Sequence, residues 1–342
     1  MQILRRVFQI ILYKIKKYII VFLSFIGLGY VCWLVDTYVK LRYKFEALYL
    51  GTKSNRKSKY NLFNFRRNIH RLEKGLSYAT LKDVFAEDYI YDTVYCLREG
   101  EKNSAFDEDS ITWGKAVLKE YFSKVEHTEK VKKAYSVFQP LLSTNRFAEN
   151  EIPYLESERA QSDISYSQLM NMALRRRSIR HFIDKEVSED VIKKAYDIAK
   201  MSPSACNRQS FQYYFYNEKS IVKKLSQIPG GVAGYDIPTV IVIVGNYSGY
   251  FDERDINAPV IDASLAAMAF LFALETLGLG SVCINWPNLP DREAKIRNVL
   301  DLKASEFVIM MIGVGYPDPN GKIPFSKKRS ADEVVKINKL IK

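Results

Sequence analysis

Apolar residues in the C-terminal half of the chain fall into four short runs separated by amphipathic stretches. TVIVIVGN (239–246) is apolar at nearly every position, the mark of a strand covered on both faces. FQYYFYN (211–217), SVCINW (281–286) and FVIMMIGVG (307–315) predict three further strands. Between them the pattern shifts to a helical period: SYSQLMNMALRRR and SEDVIKKAYDIAKMS read as amphipathic helices. In the second, Ser188 is an expected N-cap and Glu189 and Asp190 suit the positive end of the helix dipole. A short charged helix is expected around REAKIRNVL. APVIDASLAAMAFLFALETLGLG predicts a long helix that is apolar almost all round, so one covered face does not satisfy it. A dimer interface would cover the other.

The N-terminal half is patterned differently. YIIVFLSFIGLGYVCWLV (18–35) holds eighteen positions without a charge, just long enough to cross a bilayer as a helix. Tyr18, Tyr30 and Trp33 near its ends suit a membrane interface, and no small-x-small cleavage site follows it. The segments expected are a basic N-terminus (1–17), a membrane helix (18–35), a basic neck and helical region (36–145), a polar, acidic linker (146–165) and a mixed helix and strand domain (166–342). Residues 36–76 read as one helical neck ending near Gly75, and 80–145 as a small helical region.

Net charge changes the picture only at one end. The chain carries +12, but residues 1–74 alone hold 16 Lys and Arg against 3 acids, leaving the remainder at −1. Basic character is therefore confined to the segment around the predicted span, which speaks for anionic lipid and against nucleic acid as a partner. The basic excess after the span places the C-terminal side toward the cytoplasm. Cys32, Cys96, Cys206 and Cys283 form no C-x-x-C pair, so neither a disulfide framework nor a zinc site is expected. His70 and Glu73, three apart on a helix, lack an evident third ligand, so no metal is expected. Asp262, in the otherwise apolar helix, reads as a first-turn cap, and His127 as a solvated side chain.

The densest chemistry lies in RRRSIRHF (175–182), four arginines around Ser178. A basic helix end is ordinarily a solvated face. Arginine forks also bind planar oxyanions, and Arg176, Arg180, Lys327 and Arg329 could converge on one phosphate if the ends of the domain meet. No phosphate loop of either glycine-rich type is present, and no nucleophile elbow surrounds Ser178.

A set of ordered motifs is more specific together: R-R-S-I-R-x-F at 176–182, P-S-A-x-N-x-Q-x-F at 203–211, the apolar helix running into ALETLGLGSVCINW, then G-x-G-Y-P and a closing K-K-R. In this combination residues 166–335 resemble the FMN-dependent nitroreductase family. The resemblance implies an α+β fold, a three-layer α/β/α sandwich, and FMN bound at a homodimer interface. It implies that Arg176, Arg177 and Ser178 meet the phosphate and ribityl chain and that Arg180 lies toward the pyrimidine end. Asn207 and Gln209 would face the ring or ribityl chain, Asn285 would approach flavin N5, and Lys327 and Arg329 would close the phosphate site. The flavin itself would carry the chemistry, with no catalytic side chain required: NADH or NADPH delivers hydride to N5 and leaves, and a small-molecule acceptor follows in ping-pong order. Alternatives within that reading are a dehydrogenase or dehalogenase of one metabolite, or a flavin-binding membrane subunit without turnover. The sequence departs from the family's pattern at Ser210-Phe211, where Pro-Trp is common, and at Trp286, which stands where a small residue is frequent and would narrow the substrate pocket.

Overall fold

The structure, a computed structural model, describes residues 28–143, 150–232 and 234–338. Most of the predicted membrane span, residues 18–27, lies outside the described residues.

Helix α1 (Gly29–Lys57) begins in the last part of that span and continues without interruption into the basic neck. Its first turns expose Tyr30, Val31, Trp33, Leu34 and Val35, apolar side chains that nothing among the described residues covers. Farther along, Ala47, Leu48, Gly51, Thr52 and Asn55 form a buried stripe at helical spacing. This stripe packs on Tyr247 and Tyr250. A Cβ on Gly51 would stand 2.6 Å from the Tyr247 backbone, so only glycine permits the close approach. The neck is not one helix. It breaks at Ser58–Asn61, where Asn61 takes an extended conformation and its side chain accepts the Asn64 N–H, starting α2 (Leu62–Leu76).

Phe65, Ile69 and Leu72 of α2 recur at helical spacing and are fully buried. They meet α3 (Ile90–Lys102), α4 (Glu108–Lys124) and α5 (Glu129–Phe138) in a core with Val94, Leu97, Leu118, Tyr121 and Phe138. Asp107 and Thr128 cap α4 and α5 through side-chain oxygens. His127 is half-buried rather than solvated: its ring nitrogen contacts the Phe122 carbonyl at 2.8 Å and its ring packs on Tyr135.

After the linker come α6 (Tyr166–Arg175), α7 (Glu189–Ala199), β1 (Phe211–Tyr216), α8 (Lys219–Gln227), β2 (Thr239–Asn246), α9 (Ala258–Thr276), β3 (Gly280–Asn285), α10 (Pro290–Arg297), β4 (Glu306–Gly315) and the short α11 (Ala331–Val334). The four strands match the expected runs to within a residue at each end. They form one antiparallel sheet in the order β1-β2-β4-β3. Alternation along β2 sends Ile241 and Ile243 to one face, against Ala263, Ala266, Phe270 and Leu274 of α9 and Ala195 of α7. Val240, Val242 and Val244 go to the other, against Val222 and Leu225 of α8 and Ile296 of α10. The sheet thus lies between two helical layers, the mixed helix and sheet architecture expected.

By length and composition one helical stretch among the described residues, Glu253–Thr276, is apolar enough to cross a membrane. It contains α9, whose sheet-facing residues Ala266, Phe270 and Leu274 are fully buried in the core. The opposite side of α9 leaves Ile261, Leu265 and Met268 exposed, and neighbouring α6 has no buried residue at all. Beyond β4 the chain runs exposed through Phe325 and Ile337.

Candidate functional site

Between α7 and β1 the chain makes a turn in which Cys206, Asn207 and Gln209 all have positive φ, at 54°, 49° and 51°. Left-handed backbone is tolerable for asparagine and costly for the other two, so the turn needs outside support. Two side chains from outside, Asp262 and Arg66, supply it, and Ser204 of the turn itself adds a third contact. Asp262 reaches across from α9, and both its oxygens accept the Ala205 N–H at 3.0 Å. Ser204 Oγ accepts the Gln209 N–H at 3.2 Å. Arg66 of α2 donates from Nε to the Asn207 carbonyl at 2.9 Å and from Nη1 to Ser110 Oγ at 2.7 Å.

Asp262 therefore does not cap its own helix, which begins after Asn257. It is 4% exposed, also accepts the Tyr250 hydroxyl at 3.2 Å, and its carboxyl is pushed above the ordinary range by burial, against the opposing pull of its hydrogen bonds and of Arg208. Within the turn, Gln209 Nε2 donates to Asn207 Oδ1 at 3.2 Å, so these two predicted site residues stand together.

The arginine cluster follows the end of α6. Arg176 closes the helix, its N–H bonded to the Met172 carbonyl, and Arg177 folds back to donate to the carbonyls of Ala173 and Arg176. The next residues run beside β3: Ser178 bridges Ser281 in parallel, and the Ile179 N–H bonds the Ser281 carbonyl at 2.9 Å. Gly280 makes that possible, because a Cβ there would lie 2.8 Å from Ile179. Arg180 then lines a cavity of about 190 Å³ with Asn285, Cys283, Pro229 and Gly231. Arg176 acts on the same strand: desolvation pushes the Cys283 thiol up, and the Arg176 charge opposes it.

Five of the predicted residues, Arg176, Arg177, Ser178, Arg180 and Asn285, are thus gathered along α6 and β3. Lys327 and Arg329 are not brought to them. Both lie on the exposed tail, where Arg329 pairs with Glu333 at 3.4 Å. Trp286 also stands apart: its side chain is buried among Val282, Ile284 and Met311 and its indole N–H donates to Glu293 at 3.3 Å. Arg66 and Asp262 act on the turn over sequence distances that local pattern does not report. Among the described residues no three His, Cys, Asp or Glu side chains gather as a metal site.

The sequence profile of the nitroreductase family matches residues 173–233 and 230–316, which contain the arginine cluster, the turn and the sheet. A protein of Methanothermobacter thermautotrophicus, provisionally named NADH dehydrogenase/NAD(P)H nitroreductase, is 31% identical over 146 residues, 42% of this chain and 75% of its own length. The chain belongs to the nitroreductase family. It is an oxidoreductase on that ground. An NADPH-dependent oxidoreductase of Staphylococcus aureus is 24% identical over 176 residues, 45% of this chain and 69% of its own. Among solved structures, an FMN-dependent nitroreductase of Clostridium difficile R20291 covers 50% of this chain and 99% of its own at 24% identity and a TM-score of 0.41. The nitroreductase match begins within α6, so α1 to α5, including Arg66, lie outside it.

Proposed function

We propose that this nitroreductase-family protein is a membrane-anchored, homodimeric flavoprotein that uses FMN to pass electrons from NADH or NADPH to a small-molecule acceptor. The observation that carries the reading is Arg176, whose Nε is buried and has no hydrogen-bond partner among the described residues. Leaving a buried donor open costs about 1–3 kcal/mol, and a phosphate or flavin oxygen would satisfy it. Arg177 and Ser178 follow on the same strip, and Arg180 adds positive charge at the cavity it shares with Asn285.

FMN, when bound, supplies the hydride-carrying chemistry. The chain's part is to bind and orient. Arg176 and Arg177 hold the phosphate end, Asn207 and Gln209 offer amide groups from a turn that Arg66 and Asp262 keep fixed, and Lys327 and Arg329, held apart on the exposed tail, would complete the phosphate site only if the tail moved to it. The names of the relatives, with NAD(P)H or NADPH in them, support a nicotinamide reductant.

A second copy of the chain suits what this one leaves bare. Leu169, Met170 and Leu174 of α6 and Ile261, Leu265 and Met268 of α9 are exposed on neighbouring helices, which the Arg175–Glu275 pair ties together at 2.8 Å. The apolar first turns of α1 support a membrane anchor. Full-length protein should sediment with membranes and be released by detergent but not by high salt. Release by salt would mean that the basic residues, not an apolar span, hold it there.

The test of function is an absorbance spectrum of the detergent-purified full-length protein, followed by anaerobic NADH or NADPH. Flavin bands that bleach on addition are expected. A colourless protein that takes up no added FMN would overturn the reading, and bands that neither nicotinamide bleaches would leave a flavin-binding subunit without this activity.

A further inference from the structure

A second cluster of arginines lies beside the Cys206–Gln209 turn, on the helix that the family match does not include. Arg67 and Arg71, one turn apart on α2, line a cavity of about 200 Å³ with Lys59, Asn68, Tyr89, Asp92 and Phe251. Cations exceed carboxylates there. Asp92 is the cavity's one lining acid and faces Lys59 at 3.7 Å. Arg71 reaches the exposed Asp88 only at 3.9 Å, and among the described residues Arg67 pairs with no carboxylate.

The geometry resembles a holder for an oxygen. Both guanidinium groups converge on the single neutral oxygen Asn68 Oδ1, at 3.3 Å from Arg67 and 3.5 Å from Arg71. Each is also held over an aromatic ring, Arg67 over Phe251 at 5.1 Å and Arg71 over Tyr89 at 3.6 Å. Stacking fixes the plane of a guanidinium and leaves its in-plane N–H donors for an oxyanion. Arg67 is the uncompensated member: desolvation, then Arg71 and Arg208, push its proton affinity down, so the site is short of negative charge. Arg208 is 6% exposed with its own Nε buried and unpartnered among the described residues. Adjacent Arg66, by contrast, bonds Ser110, which in turn bonds Asp107.

We propose that this cavity binds an oxyanion, a phosphate or carboxylate, and that it belongs to the acceptor. The assignment of the anion to the acceptor rests on the flavoenzyme reading; the oxyanion site itself does not. The place fits: Arg66, adjacent to Arg67 on α2, bonds the Asn207 carbonyl of the turn. An acceptor held by its anionic end at Arg67 and Arg71 would extend toward Asn207 and Gln209.

The test uses full-length protein in detergent, saturated with FMN so that any phosphate site at Arg176 is filled. Inorganic phosphate is titrated by calorimetry into wild type, Arg67→Lys and the double variant Arg67→Gln/Arg71→Gln. Saturable binding weakened at least tenfold in the double variant, and less in Arg67→Lys, is expected. Equal affinity in all three, or none in wild type, overturns the site. Unchanged flavin absorbance and thermal midpoint show that the variants are folded.

A second arm compares kcat/KM for 4-nitrobenzoate and nitrobenzene. Preference for the anionic compound that disappears in the double variant supports the assignment to the acceptor. If phosphate binding is lost while that preference is unchanged, the cavity holds free phosphate and the acceptor assignment falls. Phosphate binding without turnover of either compound would overturn the acceptor assignment along with the enzymatic reading, leaving the oxyanion site standing.

Discussion

Asp262→Ala is expected to lower the unfolding free energy by about 2–4 kcal/mol, read as a lower denaturant midpoint at unchanged slope. The substitution removes the acceptor of the Ala205 N–H and of the Tyr250 hydroxyl in one step. It also withdraws the negative charge next to Arg208, which is buried and, among the described residues, is left with the Ala205 carbonyl at 3.3 Å and the face of Tyr250. Burial already disfavours the ionised carboxylate, and this offsets part of the loss. A change under 0.5 kcal/mol would show that the Ser204–Gln209 turn holds itself.

Asp262→Asn separates the charge from the hydrogen bond, because the amide oxygen still accepts the Ala205 N–H. In the wild type the folded pKa of Asp262 lies above its unfolded value of about 3.9. The native state then binds the proton more tightly, so this group's contribution to stability falls as pH rises through the interval between the two values. Relative to Asp262→Asn, the wild type should therefore lose stability from about pH 4 upward until the folded pKa is passed. The opposite slope would mean that Arg208 dominates over burial.

What the sequence reveals here depends on how far an interaction reaches. All four strands follow from local pattern, because each run carries its own period or its own uninterrupted apolar stretch. α9 is legible for the same reason, and its excess of apolar residues even announces an uncovered face. The neck break at Ser58–Asn61 is harder to see, since the signal is one asparagine whose side chain caps the next helix.

The turn illustrates the other limit. Its motif draws attention to Asn207 and Gln209, but the groups that hold it come from α2 and α9. Arg66 meets Asn207 across 141 positions, and nothing in RRNIHRLEKGL advertises such a contact. The burial of Trp286 follows from its place at the end of the strand. Adjacent residues of a strand point to opposite faces, so Asn285 in the Arg180 cavity sends its neighbour Trp286 into the core. The tail shows what one copy of a chain leaves open: Lys327 and Arg329 are cationic, and nothing among the described residues draws them to Arg176.

Arg176→Ala is expected to weaken FMN binding by about 1.5–3 kcal/mol, roughly a ten- to 150-fold rise in Kd. A cost is already present at Arg176. A guanidinium Nε that is buried without a partner among the described residues is an open donor, and truncation to alanine removes the donor together with its desolvation penalty. The variant without flavin should therefore be no less stable than wild type, while the flavin-loaded form loses the contact. That combination distinguishes a binding residue from a structural one, whose loss would lower stability with or without flavin. Arg176→Lys keeps the charge but not the fork, so it should recover part of the affinity. Titration of FMN into flavin-stripped protein, with the thermal midpoint of each form measured alongside, reads both quantities. Unchanged FMN affinity in Arg176→Ala would remove Arg176 from the cofactor site and leave its open Nε to serve another anion.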